Sequence, residues 1–251
     1  MDCARQELLI AAVARLLEGS RHVAVGASSP IPGAGALLAR SLSGDAMRVS
    51  VLGSRTHNFF TDGGRELFDC AGQGRIDAFF LGGGQIDGEA NINLVGVGAY
   101  PQGKVRWPGS FGSAYLYFVV PRVILFREEH SPRVFVQKVD FVSAPGVSPP
   151  NVHRPGGPSA LLTGRALFSF DKANRRFRLE SVHPGETVDG IVAATGFAFE
   201  VPAAVPTTPA PDRDALALIR GRVREEIAET YPQFAAATWG GDTGARMEVP
   251  A

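Results

Sequence analysis

Apolar residues in the first part of the chain recur at the spacing of an α-helix. Between residues 8 and 17 they fall three and four positions apart, and Gly19 follows the last of them. This spacing predicts an amphipathic helix that ends near Gly19. Such a helix buries its apolar face against another element, and we expect that element to be a sheet.

Short apolar runs and helical patterns then alternate along the chain. Strand-like runs lie at 22–25, 47–52 and 77–81, and helical patterns lie at 33–41 and 65–72. The run 77–81 is apolar at almost every position, as in a strand that is buried on both faces. The alternation predicts an α/β fold, in which an open, largely parallel sheet is flanked by helices.

The middle of the chain contains β-branched and aromatic runs separated by polar turns, which predict further strands. These runs are 92–97, 119–126, 135–142, 166–170 and 177–182. Proline and glycine are dense between residues 145 and 158, and strand-like sequence resumes after them. We therefore expect an ordered crossing loop at this point.

The C-terminal part of the chain contains the strongest break, the proline-rich segment 202–211. Asp212 follows this segment and is a suitable N-cap for a helix that runs to about residue 227. We predict a single domain over residues 1–239 and a flexible, glycine-rich tail over residues 240–251.

Charge and cysteine content limit the classes of function. The 251 residues include 25 Lys and Arg and 25 Asp and Glu, so the formal net charge is +0. Without a net positive field, binding to nucleic acid or to an anionic membrane surface is disfavoured. Cys3 and Cys70 cannot form a disulfide framework, and the first residues lack the pattern of a signal peptide. The most apolar run, 116–126, is far shorter than the roughly 20 residues of a membrane span. These features predict a cytoplasmic protein without a membrane segment.

Histidine and cysteine spacing gives no indication of a metal site. The histidines are His22, His57, His130, His153 and His183. They are scattered and form no His-x-x-x-His pair, and the two cysteines form no Cys-x-x-Cys pair. Because metal sites are typically built on such pairs, we predict that no metal is bound.

A glycine-rich segment, 82–93 (GGGQIDGEANIN), directly follows the buried strand. The carboxyl ends of parallel strands are where α/β sheets bind ligands, and glycines there let a substrate approach the backbone. The structural alternative is a tight turn in which the glycines adopt positive φ and Asp87 and Asn91 cap nearby amides. The segment lacks the ending of a Walker loop and the spacing of a dinucleotide fingerprint, so both of these phosphate sites are excluded.

Two further segments carry groups suited to catalysis. In 108–114 (PGSFGSA) the backbone amides are candidates to stabilise a developing oxyanion, and a plain turn is the alternative. Ser54 follows a strand and lies three residues before His57, which makes it a candidate nucleophile. The Gly-x-Ser-x-Gly elbow is missing, so a serine that only caps the turn is the alternative here.

Five segments, taken in order, resemble the β subunit of family I coenzyme A transferases, of the glutaconate CoA-transferase type. They are 50–54 (SVLGS), 77–93, 105–112 (VRWPGSFG), 135–141 (FVQKVDF) and 181–185 (SVHPG). The most specific part is the Gly-Gly-x-Gln-x-Asp-x-x-x-Asn-x-Asn string within 77–93. The resemblance covers nearly the whole chain up to about residue 197.

This resemblance implies an open α/β subunit that pairs with a homologous α subunit, as a heterodimer or an α2β2 heterotetramer, with the active site at their interface. It implies an acyl-CoA thioester as substrate and no tightly bound cofactor. In transferases of this family, a β-subunit glutamate attacks the thioester before CoA is passed to a carboxylate acceptor. The matching position in this chain is Ser54.

The resemblance also implies roles for residues around the two glycine loops. Gly112 matches the family's glycine loop, so its amide is a candidate oxyanion donor, and Ser54 is the other candidate catalytic residue. Phe111 stands where glycine is usual and is expected to narrow the pocket. The expected substrate-binding and CoA-binding residues are Arg55, His57, Gly82, Gly83, Gln85, Gly109, Ser110 and Phe111.

A serine ester cannot reproduce the enzyme–CoA exchange that the glutamate provides, so we expect chemistry other than transfer. The first hypothesis is decarboxylation, hydrolysis or C–C cleavage of a dicarboxylic or ring-derived acyl-CoA, with backbone amides stabilising an enolate. Similar family members without the glutamate include a cofactor-free decarboxylase and a hydrolase that opens a steroid-derived ring. The second hypothesis keeps transfer, with a carboxylate from elsewhere, such as Glu89 or a glutamate of the partner. The third is a non-catalytic subunit that binds CoA or stabilises its partner.

Overall fold

A seven-stranded sheet lies at the centre of the computed structural model, which describes residues 3–240. In chain order the strands are β1 (His22–Val25), β2 (Arg48–Val51), β3 (Ala78–Leu81), β4 (Gln85–Ile86), β5 (Ile92–Asn93), β6 (Gly96–Val97), β7 (Val105–Arg106), β8 (Arg122–Arg127), β9 (Pro158–Thr163), β10 (Ala166–Asp171) and β11 (Arg176–Val182). The order across the main sheet is β11-β10-β9-β8-β3-β1-β2. Neighbours from β9 to β2 are parallel, and β10 and β11 are antiparallel additions at one edge. The predicted fold class is therefore confirmed.

Helices connect the parallel strands. They are α1 (Arg5–Leu16), α2 (Pro30–Leu42), α3 (Gly63–Gly72), α4 (Ser113–Val119), α5 (Val188–Ala193), α6 (Arg213–Leu218), α7 (Arg224–Thr230) and α8 (Pro232–Trp239). A π-helical turn, Ile219–Val223, joins α6 to α7. The predicted N-cap is confirmed, because the Asp212 side chain accepts a hydrogen bond from Ala215 N at 2.8 Å.

Both faces of the sheet are buried because successive side chains of a strand point to opposite sides. Val23 and Val25 pack among residues of α1 and α2, whereas Ala24 packs with residues of α3 and α4 on the other face. Helices on both faces leave the central strands without a polar side. This arrangement explains the nearly continuous apolar sequence of 77–81.

The predicted strand at 135–142 is wrong. Phe135 makes a single bridge to β4, and side chains then take up the backbone amides that a neighbouring strand would otherwise bind. The Gln85 Oε1 atom, for example, accepts a hydrogen bond from Asp140 N at 2.9 Å. Side-chain acceptors of this kind compete with a strand ladder.

The apolar run 119–126 contains a boundary rather than one strand. Val119 ends α4, Pro121 interrupts the backbone, and β8 begins at Arg122. β9 follows the proline- and glycine-rich segment and pairs with β8, although its sequence did not predict a strand. Its centre, 160–162, is Ala-Leu-Leu, which favours strands less than β-branched residues do.

The described part of the chain, residues 3–240, contains no helix that is long and apolar enough to cross a membrane. Within the same residues, no three histidine, cysteine or acidic side chains are grouped so as to hold a metal ion. The predicted tail lies outside the described residues, apart from Gly240.

A buried histidine, His130, links β9 to the segment after α5. Its Nδ1 atom lies 2.8 Å from Thr163 Oγ1, and its Nε2 atom lies 2.9 Å from Thr195 Oγ1. Burial, and to a smaller extent the charge of Arg165, lowers the pKa of His130 to about 4. The folded protein therefore keeps this imidazole neutral at neutral pH.

We expect the free energy of unfolding to fall as the pH drops from about 6.5 towards 4. In that range unfolded His130 binds a proton and folded His130 does not, so protonation favours the unfolded chain. The difference between the two pKa values corresponds to about 3 kcal/mol. Urea denaturation at several pH values measures the slope, which His130→Gln should flatten and His153→Gln, at an exposed position, should leave unchanged. An equally steep slope in His130→Gln would contradict this assignment.

Candidate functional site

Four loops meet at the carboxyl edge of the parallel strands. β2 is followed by Ser54, β1 by Ser28 and Ser29, β3 by Gly82, and β8 by Glu128. A cavity of about 410 Å³ lies between the last three of these loops. This edge is the one at which open α/β sheets bind ligands.

The turn after β2 surrounds the Ser54 hydroxyl with hydrogen bonds. The hydroxyl oxygen accepts from His57 N at 2.9 Å and from Thr56 N at 3.3 Å. The hydroxyl group donates to Glu229 Oε2 at 2.7 Å, and Ser54 is buried. These contacts have the geometry of a serine that caps its own turn, the alternative to a nucleophile.

Glu229 reaches Ser54 from α7, 175 residues further along the chain. Its Oε1 atom accepts a hydrogen bond from Arg55 N at 3.0 Å, and its Oε2 atom also accepts one from Thr230 Oγ1 at 2.9 Å. The hydrogen bond from Ser54 is the largest cause that lowers the pKa of Glu229. An ionised, exposed carboxylate therefore lies at the strand end where the resemblance places the family glutamate. We call Ser54, Arg55, Glu229 and Thr230 the β2-end cluster.

Glu229 was not among the residues predicted from the sequence. Glu89 was the alternative carboxylate, but it lies in the turn of the glycine segment, where its backbone N donates to Asp87 Oδ1 at 3.1 Å. The sequence does predict the helix that carries Glu229. Its pairing with Ser54 depends on how that helix packs against the sheet, which no local pattern shows.

The imidazole of His57 contacts α2 and α7. Arg40 Nη1 donates to His57 Nδ1 at 2.8 Å, so this ring nitrogen is unprotonated. The His57 Nε2 atom lies 3.9 Å from Glu226 Oε2, and burial is the largest cause that lowers the pKa of His57. His57 therefore meets Ser54 through its backbone amide, while its ring is engaged with Arg40 and Glu226.

The glycine-rich segment 82–93 forms a buried polar scaffold. Asn93 Nδ2 donates to Gln85 Oε1 at 2.8 Å, and Gln85 Nε2 donates to Asp140 Oδ2 at 3.1 Å. Asp87 Oδ1 accepts from Asn91 N at 3.1 Å, which is the capping role proposed for a tight turn. The binding role predicted for Gln85 stays a prediction, and its contacts in the structure are to other buried side chains.

An apolar cavity of about 530 Å³ lies beside this scaffold. Gly84 borders it on one side, and Trp107, Pro108 and Gly109 border it on the other. Its remaining lining residues are Leu94, Val97, Val105, Arg127, Arg133 and Val134. We call this space the apolar cavity. It brings the two predicted glycine loops together, and Gly82 lies nearby on the 410 Å³ cavity.

The turn at 110–112 leads into α4. Gly112 adopts φ +67°, a conformation that favours glycine, and a Cβ there would overlap the ring of Phe68. The Phe111 ring is 88% exposed, and its centre lies 5.6 Å from that of Phe68. Ser110 contributes its carbonyl, which accepts from Ser113 Oγ at 3.0 Å. The roles predicted for these three residues stay predictions.

Comparison with known proteins identifies the family. The Coenzyme A transferase family model matches residues 3–194 of the 251. The chain belongs to this family. The resemblance that the ordered motifs indicate is thus confirmed, and the buried scaffold, both cavities and Ser54 fall within the matched residues. Glu229 lies beyond them.

Two curated relatives are β subunits of transferases. The chain is 33% identical over 153 residues to that of 3-oxoadipate CoA-transferase from Pseudomonas knackmussii, a match covering 59% of this chain and 58% of the relative. It is 31% identical over 151 residues to that of glutaconate CoA-transferase from Acidaminococcus fermentans, covering 57% and 56%. The matched part thus spans less than two thirds of each relative.

Two solved structures share the fold over most of the chain. IpdAB of Rhodococcus jostii superposes with a TM-score of 0.78 at 25% identity, covering 88% of this chain and 94% of that chain. A variant of the decarboxylase AibA/AibB superposes with a TM-score of 0.74 at 26% identity, covering 87% and 95%. The family fold therefore occurs in a decarboxylase as well as in CoA-transferases.

Proposed function

We propose that this chain is the β subunit of a heteromeric enzyme that acts on an acyl-CoA of a dicarboxylic or ring-derived acid, by decarboxylation, hydrolysis or C–C cleavage. The observation that carries the proposal is the saturated Ser54 hydroxyl at the end of β2. Its proton is committed to Glu229 and its lone pairs to two amides, which disfavours attack on a thioester. The likeness to the decarboxylase AibA/AibB supports chemistry other than transfer.

The proposed reaction develops negative charge on the thioester oxygen when a bond next to the carbonyl breaks. Backbone amides that are already oriented stabilise such an enolate without reorganisation. The amides of Gly112 and Gly83 are our candidates for this role. A Cβ at Gly83 would lie 2.6 Å from Ile92 Cγ2, so the loop keeps its close packing on β5 only with glycine there.

A partner surface is supported by exposed aromatic residues near α4. Phe111 is 88% exposed and Tyr115 is 43% exposed, and both rings pack on Phe68. Exposed aromatic groups of this kind are typical of protein interfaces. We propose that a homologous α subunit covers them, in a heterodimer or an α2β2 heterotetramer.

Transfer is the second candidate function, because Glu229 offers a carboxylate at the β2 end. Glu229 is ionised and exposed, as a nucleophile must be. In this alternative, Glu229 takes the place of the family glutamate, and Ser54 and Arg55 N orient its carboxylate.

The test is to purify the chain with its co-expressed partner and to incubate the complex with several dicarboxyl-CoA esters, with and without acetate. We expect CO₂, a ring-opened product or free CoA, detected by mass spectrometry and independent of acetate. Acetyl-CoA that forms only with acetate, and that disappears in Glu229→Gln, would instead support the transferase. If no ester turns over although CoA binds, the non-catalytic alternative would stand.

A further inference from the structure

One arginine at the carboxyl edge of the sheet is not fully paired. Arg127 is the last residue of β8, and its Nε atom is buried with no hydrogen-bond partner among the described residues. Its Nη2 atom lies 3.4 Å from Glu129 Oε2, at the long end of hydrogen-bond distances. A buried N–H without a partner lowers stability, so an unpaired guanidinium edge requires an explanation.

The nearest carboxylate is already bound by other groups. Arg133 donates to both oxygens of Glu129, with Nη2 at 2.8 Å and Nε at 3.2 Å. Ser131 Oγ adds a third hydrogen bond at 2.8 Å. Glu129 is therefore oriented towards Arg133, which leaves Arg127 with one weak contact and one empty donor.

Arg127 lies between two cavities. It borders the apolar cavity, whose wall includes Leu94, Val105 and Trp107, and it also borders the 410 Å³ cavity beside Ser28. The volume of the apolar cavity, about 530 Å³, falls within the range of small-molecule sites. A cationic group next to an apolar wall attracts an anion more strongly than it does in water.

We propose that Arg127 determines specificity by binding a carboxylate of the acyl group, distal to the thioester, while the acyl chain lies against Trp107 in the apolar cavity. The planar guanidinium presents Nε and one Nη as parallel donors, a geometry that matches a carboxylate. The cavity wall is apolar, which suits the methylene groups between the two ends of a dicarboxylic acyl chain. This inference rests on the proposed acyl-CoA function and adds the residue that recognises the substrate.

Isothermal titration calorimetry on the complex of the full chain with its partner tests this role. The probes are glutaryl-CoA, butyryl-CoA, which lacks only the carboxylate, and CoA itself. We expect glutaryl-CoA to bind at least about 10-fold more tightly than butyryl-CoA, because one charge-assisted pair is added. Arg127→Met should abolish this preference and leave the dissociation constants of butyryl-CoA and CoA within about two-fold.

Three further variants control for charge and folding. Arg127→Lys keeps the charge without the parallel donors and should give an intermediate preference. Glu129→Gln removes the competing carboxylate and should keep or widen it. Arg106→Met removes an exposed positive charge at β7 and should leave it unchanged. Thermal unfolding of each variant verifies that the chain is folded.

The outcomes separate this inference from the proposed function. If Arg127→Met keeps the preference for glutaryl-CoA, or if the unaltered complex has no such preference, the role of Arg127 is overturned and CoA binding stands. If the unaltered complex binds none of the three probes, the proposed acyl-CoA function fails, and the inference fails with it.

Discussion

Replacing Gly84 with alanine is expected to raise the dissociation constant for acyl-CoA by about 100-fold, the largest effect on binding that we expect from one methyl group. A Cβ at Gly84 would overlap the indole of Trp107. The backbone cannot easily move away, because Gly84 N donates to Asn93 O at 2.9 Å within the buried scaffold. The indole must therefore shift, and it carries the wall of the apolar cavity with it.

Calorimetry with CoA and glutaryl-CoA on the complex measures this effect, and thermal unfolding tests whether the variant is folded. Gly221→Ala is the matched control, since open space surrounds the position of its Cβ in the π-helical turn. We expect its dissociation constants to equal those of the unaltered complex. Normal binding by Gly84→Ala would show that the acyl group does not use the apolar cavity.

The main sheet was predictable because its signals are local. The run 77–81 is buried on both faces, and it is apolar for that reason. The alternation of such runs with helical patterns then leaves few topologies other than a mostly parallel sheet. The same reasoning identified the glycine loops, since glycine at a strand end is visible without knowledge of distant residues.

The errors arise where distant partners decide the structure. The segment 135–142 has strand composition, but Gln85 binds the backbone of Asp140 in place of a neighbouring strand. β9 has weaker strand composition, and it forms because β8 offers an unpaired edge beside it. Neither outcome can be read from the segment itself.

The candidate site shows the same division. Ser54 was found from its place after a strand, but its hydrogen bond to Glu229 spans 175 residues. Arg127 looked like an ordinary strand residue, and its unpaired Nε follows from the commitment of Glu129 to Arg133. Local patterns thus locate the loops of the site, whereas its electrostatics depend on the packing of the whole chain.

Placing the family glutamate at position 54 is expected to raise acetate-dependent transfer strongly, and most in a chain that lacks Glu229. The Ser54 hydroxyl lies 2.7 Å from Glu229 Oε2, so Ser54→Glu alone brings two carboxylates into contact. Like charges at this distance raise the pKa of one of them, and the protonated form is a poor nucleophile. The double variant Ser54→Glu/Glu229→Gln removes this repulsion.

We expect the double variant to form acetyl-CoA from glutaryl-CoA and acetate at least about 100-fold faster than the unaltered complex, and about 10-fold faster than Ser54→Glu alone, because each factor of ten requires only about 1.4 kcal/mol. Mass spectrometry of the products over time gives the rates. Ser54→Gln/Glu229→Gln has a similar shape without the charge and should show no gain. A different pattern, in which the unaltered complex already transfers CoA and Glu229→Gln alone abolishes it, would identify Glu229 as the nucleophile. It would also mean that a carboxylate from α7 has replaced one from the strand end.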